Sequence, residues 1–317
     1  MSRRTDVLAG LREAGEAGVS GEALALRLGI SRAAIAKHVA ALESLGYRIT
    51  AVPGKGYRLD AVPDLPLPEE VAPLLSSSMW VRLKGGGDTG STNDDAKRMA
   101  REGAAEGCVV LATRQTAGRG RLGRAWSSPE GGVYLSVVLR PDLGVSELVA
   151  LPLAVSVAVA RAAEGLGASG VGLKWPNDVW LGSRKLAGVL LETAAEADRV
   201  NWVVVGVGVN VRRPNDTEAH AAYLEDCSPS VRLPQVAASL LDEIAEVYVA
   251  YNDDGFESVR SEYERRAVLT GSEVGISGPD GLAKASGKVL GVDGEGRLLL
   301  ETTKGTTALS AGDVTLR

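Results

Sequence analysis

The chain has 317 residues, 45% of them hydrophobic and 24% charged, with a formal net charge of −5. At roughly 100–200 residues per domain, that length predicts two or three domains rather than one core. No apolar run approaches the about 18 residues a bilayer span needs, and Asp6, Arg12 and Glu13 interrupt the amino-terminal apolar residues, so a membrane span and a signal peptide are excluded and a cytoplasmic address is expected.

The charge is uneven. Residues 1–62 hold nine Lys+Arg against six Asp+Glu, so only this front end suits a polyanion. Val7, Leu8 and Leu11 predict a first helix over 2–15, ended by Gly15. Leu24, Leu26 and Leu28 predict a second helix before Gly29, and Ile35, Val39, Leu42 and Leu45 a third after Ser31, a good N-cap. The short turn between these two, followed by ribbon-like stretches at 47–52 and 56–59, predicts a winged helix-turn-helix. Ser31, Arg32, Ala33, Lys37 and His38 fall where a recognition helix meets base edges and phosphates, and Lys55 falls at the wing tip. The stretch AVPDLPLPEEVAP, with four prolines in thirteen residues, reads as a linker, which places a domain boundary near residue 64.

Beyond it, strand patterns at 80–84, 108–113, 133–139, 171–174, 185–192 and 201–209 mix with helical patterns at 93–102, 146–166, 234–251 and 256–266. Runs such as VVLAT and WVVVGVGV predict strands covered on at least one face, hence an α+β domain over 65–268 with helices packed on a mixed sheet. From Gly271 onward, short alternating segments between SGPDG, GVDGEG and TTKGTT predict a small β-barrel module over 269–317.

Two cysteines, Cys108 and Cys227, and two histidines, His38 and His220, are too few for the usual zinc or iron–sulfur sets, and neither histidine sits beside a nucleophile elbow. The chemistry lies elsewhere. In Gln115-Thr116-Ala117-Gly118-Arg119-Gly120-Arg121-Leu122-Gly123-Arg124-Ala125-Trp126 the glycines satisfy G-x-G-x-x-G, but SSPEGG follows where a dinucleotide fold needs a helix. What remains is a loop that presents guanidinium groups to a phosphate or carboxylate and is expected to be mobile until an anion orders it. Lys174-Trp175-Pro176-Asn177-Asp178 and Ser183-Arg184-Lys185-Leu186-Ala187-Gly188 add two lysines and a carboxylate around one turn, a set suited to phosphoryl or nucleotidyl chemistry with Asp178 as a Mg²⁺ ligand.

Taken in order, Asp88-Thr89-Gly90-Ser91-Thr92-Asn93, the GRGRLGR loop, KWPND, RKLAG and GVGVN resemble the biotin protein ligases, and the preceding helix-turn-helix looks like the bifunctional bacterial form that also represses biotin synthesis genes. The resemblance implies a winged helix, a central catalytic domain and an SH3-like C-terminal module. It implies that Ser91, Thr92, Asn93, Gln115, Gly118, Arg119, Gly120, Arg121, Lys185, Gly188 and Gly206 bind biotin, and that Arg121, Trp126, Asn177, Lys185 and Asn210 bind the adenylate. Arg119, Arg121, Lys185 and Lys174 would carry catalysis, and Asp178 would assist Mg²⁺ brought with ATP. Leu122 stands where some relatives carry another arginine. The implied reaction forms biotinyl-5′-AMP and passes biotin to a lysine of the biotin carboxyl carrier protein of acetyl-CoA carboxylase; operator DNA and a ligand-favoured homodimer are the other implied partners. Two alternatives share these features: a regulator that senses a carboxylate without catalysis, and a lipoate ligase, against which the GRGRLGR loop argues.

Overall fold

The computed structural model describes residues 3–196, 199–214, 220–278 and 282–316. The fold is α+β, and the chain divides into two compact units, Met1–Leu65 and Pro66–Arg317.

In the first unit, helices α1 (Arg3–Ala14), α2 (Gly21–Leu28) and α3 (Arg32–Glu43) precede an antiparallel ribbon of β1 (Arg48–Val52) and β2 (Gly56–Ala61). The Oγ atoms of Ser20 and Ser31 accept hydrogen bonds from the backbone N–H groups of Ala23 (3.0 Å) and Ala34 (3.1 Å), capping α2 and α3. Gly29 ends α2 at φ +64°, a conformation open to glycine. Val7, Leu8, Leu11, Leu24, Ile35, Val39 and Leu42 form the core. Leu26, one of the three leucines that predict α2, is 86% exposed. At 3.6 residues per turn, positions 24 and 28 nearly coincide while 26 points to the opposite side.

The proline-rich stretch is only partly a linker. It includes α4 (Pro68–Val71) and a 3₁₀ turn at Ala72–Leu74. Proline at the first helical position needs no N–H, and Leu67 and Val71 are completely buried, which ties the segment to the second unit.

That unit is built on a seven-stranded sheet of order β3-β4-β5-β9-β8-β7-β6. Its strands are β3 (Arg82–Thr89), β4 (Cys108–Gln115), β5 (Val133–Leu139), β6 (Val171–Lys174), β7 (Asp178–Leu181), β8 (Arg184–Glu196) and β9 (Arg199–Val209). Only β3 and β4 run parallel. The short strand β7 lies where the sequence predicted a turn alone; a four-residue strand is too short for a period-2 signal to stand out.

Alternation sorts the sheet into two faces. Val109 and Leu111 of β4, Val133, Leu135, Val137 and Leu139 of β5, and Val203, Val205, Val207 and Val209 of β9 join one apolar cluster with α6 (Leu151–Gly165) and α7 (Leu233–Asp254). The stretch Val145–Gly165, containing α6, is long and apolar enough to cross a bilayer, contrary to the sequence expectation that no such run exists. Most of its apolar residues, among them Leu148, Leu151, Leu153, Val155, Val157 and Val159, belong to this core.

On the opposite face, α5 (Thr92–Arg101) covers Cys108, Val110, Val138, Trp202 and Val204 and leaves the neighbouring rows open. Helix α8 (Glu257–Arg266) leads into a five-stranded antiparallel sheet of order β13-β12-β11-β10-β14, formed by β10 (Glu273–Ser277), β11 (Ala283–Val292), β12 (Leu298–Thr302), β13 (Gly305–Leu309) and β14 (Asp313–Leu316). Val274, Ile276, Val289, Val292, Leu298 and Leu300 of this sheet join the central apolar cluster.

Candidate active site

The cavity opens over the open rows of the sheet. Ser136 pairs with Gly206 and Gly206 with Leu190 in one row; Tyr134 pairs with Gly208 and Gly208 with Gly188 in the next. The period of two in GVGV puts both β9 glycines on this face and their valines in the core. Each glycine makes room for one side chain. A Cβ at Gly206 would overlap the Asn93 carboxamide, and one at Gly208 would lie 2.5 Å from the indole Nε1 of Trp126. Side chains at these two positions would fill the space in which Asn93 and Trp126 sit.

One end of the cavity is neutral and densely hydrogen-bonded. Ser91 is the N-cap residue of α5, and Thr92 and Asn93 begin the helix, all three buried. Gln115, the last residue of β4, accepts at Oε1 from the Thr92 N–H (2.8 Å) and from its hydroxyl (3.1 Å), and its Nε2 donates to the Ser128 hydroxyl at 2.9 Å. Buried Ser136 lies 2.6 Å from Asn93 Oδ1 and 2.8 Å from the Thr92 hydroxyl. Asn93 Nδ2 donates to Glu192 at 2.8 Å.

The other end is cationic. Arg121 and Arg124 come from the glycine-rich loop, Lys174 from the end of β6 and Lys185 from the start of β8. Lys185 Nζ lies 2.7 Å from Asp178 Oδ1 and 4.9 Å from the centre of the Trp126 ring. Lys174 Nζ lies 4.7 Å over the Trp180 ring. Arg124 pairs with Asp313 of β14, while Arg121 has no carboxylate within ion-pair distance among the described residues and approaches only the Gly312 carbonyl, at 3.4 Å. Burial lowers the pKa of Lys174 and of Arg121 from their ordinary values.

Most of the residues singled out in the sequence meet here. Ser91, Thr92, Asn93, Gln115, Arg119, Gly120, Arg121, Trp126, Lys174, Asn177, Asp178, Lys185, Gly188 and Gly206 all line the cavity. Gly118 does not: its carbonyl accepts the Trp126 N–H at 2.9 Å, and it shapes the loop base instead. Asn210 lies on an adjoining hollow behind Trp126, with Tyr134, Arg212, His220 and Tyr223. The loop contains a 3₁₀ turn at Arg121–Gly123 and a bridge between Arg119 and Ala125, with no helix after it, consistent with rejection of the dinucleotide fingerprint. In the first unit, Ser31, Arg32, Ala33 and Lys37 are exposed, His38 is half-buried, and Lys55 is exposed at the turn between β1 and β2.

Comparison with known proteins decides the family. Residues 88–210 match the Biotin/lipoate A/B protein ligase family, residues 3–58 an HTH domain, and residues 271–317 the Biotin protein ligase C terminal domain. The chain is 35% identical to the Bifunctional ligase/repressor BirA of Bacillus subtilis, over 99% of this chain and 98% of that one. It is 36% identical to the Biotin--[acetyl-CoA-carboxylase] ligase of Mycobacterium tuberculosis, over 75% of this chain and 90% of that one. The solved Biotin protein ligase from Aquifex aeolicus in complex with biotin and ATP superposes with a TM-score of 0.64 at 30% identity, covering 75% of this chain and 99% of that chain. The chain belongs to the biotin protein ligase family.

Sequence reasoning about this biotin protein ligase missed Asp94, Ser136, Glu192, Gly208 and Asp313. Gly206 came only through the family resemblance, and the period of two in GVGV puts Gly208 on the same face. Nothing local marks Ser136, Glu192 or Asp313, which reach the site through strand pairing or from the C-terminal sheet.

Lys174 supplies a test of how the ligase tolerates a half-buried charge. Because its pKa is depressed, the folded chain holds this proton less tightly than the unfolded chain; the charged form opposes folding at neutral pH, and the penalty fades as pH rises through the folded pKa toward the ordinary lysine value. Lys174→Met is therefore expected to raise the melting temperature at pH 7, with a gain that shrinks at alkaline pH, while adenylate formation falls. Thermal melts across pH check the sign: a lower melting temperature at pH 7 would contradict it.

Proposed function

We propose that the protein is an ATP-dependent biotin protein ligase that forms biotinyl-5′-AMP, passes biotin to a lysine of a biotin carboxyl carrier protein, and represses transcription through its winged helix. The observation that carries this reading is the division of one cavity into a neutral, hydrogen-bonding end at Thr92, Asn93 and Gln115 and a cationic end at Arg121, Lys174 and Lys185. A ureido ring suits the first and a carboxylate meeting a phosphate suits the second.

Biotin lies with its ring toward Ser91, Thr92, Asn93 and Gln115, beside Arg119 on Asp94, and its carboxylate toward Lys185. The carboxylate attacks the α-phosphate of ATP, forming the acyl-phosphate bond as the bond to pyrophosphate breaks. Arg121, Lys185 and Lys174 offset the charge that builds on the phosphate, and Trp126 with Asn210 flanks the adenine. The ε-amine of the carrier lysine then attacks the acyl carbon, AMP leaves, and the amine gives up a proton. The enzyme needs no nucleophile of its own; it positions the reactants and shields the anhydride from water.

Mg²⁺ enters this scheme with ATP. The described residues contain no cluster of three or more His, Cys, Asp or Glu suited to a resident ion, but two carboxylates, Asp178 and Asp313, line the cationic end, and Arg124 already holds Asp313. One carboxylate plus substrate phosphates is a common magnesium set, so Asp178 fits as the protein ligand of an ion that would neutralise phosphate charge. A cytoplasmic setting supplies both nucleotide and carrier.

For repression, Arg32, Ala33, Lys37 and His38 on α3, with Ser31 at its cap and Lys55 on the wing, meet the operator. One winged helix reads a short half-site, so a two-fold dimer on a palindromic operator follows, favoured by the adenylate. Incubation with MgATP, labelled biotin and a carrier domain tests the enzyme directly: label on the carrier and biotin-dependent pyrophosphate release are expected, and the absence of both would refute ligation.

A further inference from the structure

The three arginines of the glycine-rich loop hold different partners. Arg119 donates through both terminal nitrogens to Asp94, at 2.7 and 2.5 Å. Asp94 follows Asn93 in the first turn of α5. Lys97, one turn on, joins Asp94 (3.0 Å) to Glu192 (2.6 Å), and Glu192 in turn accepts from Asn93 Nδ2 and lies 3.9 Å from Arg119. Charges thus alternate along Arg119, Asp94, Lys97 and Glu192 and end on the Asn93 amide at the neutral end of the cavity. The Arg119 guanidinium holds the Asp94 carboxyl far below the usual carboxylate range.

The loop has need of such an anchor. Backbone bonds tie its start to the strand beside it, Thr116 N–H to the Thr89 carbonyl and Ala117 N–H to the Gly90 carbonyl, at 2.9 and 2.8 Å. Among the described residues, the backbone bonds from Gly118 to Trp126 are internal to the loop, Gly120 N–H to the Arg124 carbonyl and Trp126 N–H to the Gly118 carbonyl. Glycines 118, 120 and 123 lose more conformational freedom on ordering than other residues would, so side-chain contacts at the stem must offset it.

We propose that Asp94 is a positioning residue for the arginine loop: it anchors Arg119 to α5 before any ligand enters, so that the loop stem and the Asn93 end of the cavity are held as one piece. The consequence for biotin rests on the functional reading above; the anchoring itself does not. Lys97 and Glu192 fix the anchor from the far side. The loop is then partly ordered without an anion, unlike the fully mobile loop expected from its glycines and charges.

Limited trypsin digestion of the ligand-free full-length protein, with cleavage after Arg121 and Arg124 followed by mass spectrometry, tests the anchor. The pair is partly exposed, so Asp94→Ala is expected to speed cleavage about threefold, and Asp94→Glu to restore most of the protection. Raising salt from about 0.05 to about 1 M should speed cleavage of the wild type more than of Asp94→Ala, because the Arg124–Asp313 pair is screened in both and the Arg119–Asp94 pair in the wild type alone. In an Arg119→Ala background, Asp94→Ala should add nothing. In carrier biotinylation, Asp94→Ala should raise the KM for biotin about threefold with kcat within about twofold. Unchanged cleavage in Asp94→Ala, or an effect that persists without Arg119, overturns the proposal. Failure of the wild type to biotinylate a carrier would instead refute the ligase reading and leave the digestion result standing.

Discussion

Lys185→Ala is expected to lower the rate of biotinyl-adenylate formation by about 10²–10³-fold, the loss typical of removing one preorganised donor from a site of developing charge. Three features set the size of the effect. The ammonium is fixed on both sides, by Asp178 at 2.7 Å and by the Trp126 ring at 4.9 Å, so it is aimed without cost at the moment of reaction. Its backbone is fixed as well, because the Lys185 N–H donates to the His220 carbonyl and its own carbonyl accepts from Ala222, at 3.0 and 2.8 Å. Removing it also strips Asp178 of its ammonium partner, so that this carboxylate faces the incoming phosphates with only the magnesium it would hold to offset it. Lys185→Arg should not rescue, because a planar fork cannot occupy the space of a compact ammonium between a ring and a carboxylate. Pyrophosphate release measured with biotin and ATP checks both variants; near-normal release in Lys185→Ala would remove this residue from the chemistry.

Arg121→Ala is expected to shorten retention of preformed adenylate by about a hundredfold, in the range for truncating one partner of a desolvated charge pair. Arg121 is the loop arginine with no carboxylate held to it, in contrast to Arg119 on Asp94 and Arg124 on Asp313. Its charge is therefore available to a phosphate, and burial has already removed part of its hydration. The same fact has a second consequence. Without ligand, a half-buried cation with no carboxylate partner among the described residues opposes folding, so Arg121→Met should melt slightly higher than the wild type while holding adenylate poorly. Filter retention of labelled adenylate and a thermal melt read the two effects separately; unchanged retention would show that the loop contacts the ligand through another residue.

Much of the site was legible in the sequence because its motifs are local. The glycine-rich loop, KWPND and RKLAG each put charged residues beside glycine or proline, and such turns keep those groups at strand ends whatever the rest of the chain does. The winged helix was legible for a similar reason: Ser31 caps its helix through a bond three residues long, and Gly29 ends the one before. Where period and position conflicted, the reading slipped. Leu26 belongs to the predicted helix but faces away from its core, and the prolines before Val71 read as a linker although proline is at home in the first turn of a helix.

Chain order and local pattern by themselves determined the α+β class, the strands that carry the site and the kinds of charge gathered in it, since alternation, capping and turn chemistry act over a few residues. Tertiary structure alone decided which partner each charge took. Asp94 reaches Arg119 across 25 residues, Asp313 reaches Arg124 across 189, and Ser136 meets Asn93 across 43. Those choices depend on strand register and on where the C-terminal sheet rests, and a hydrogen bond fails over an ångström or so, a distance no one-dimensional pattern encodes.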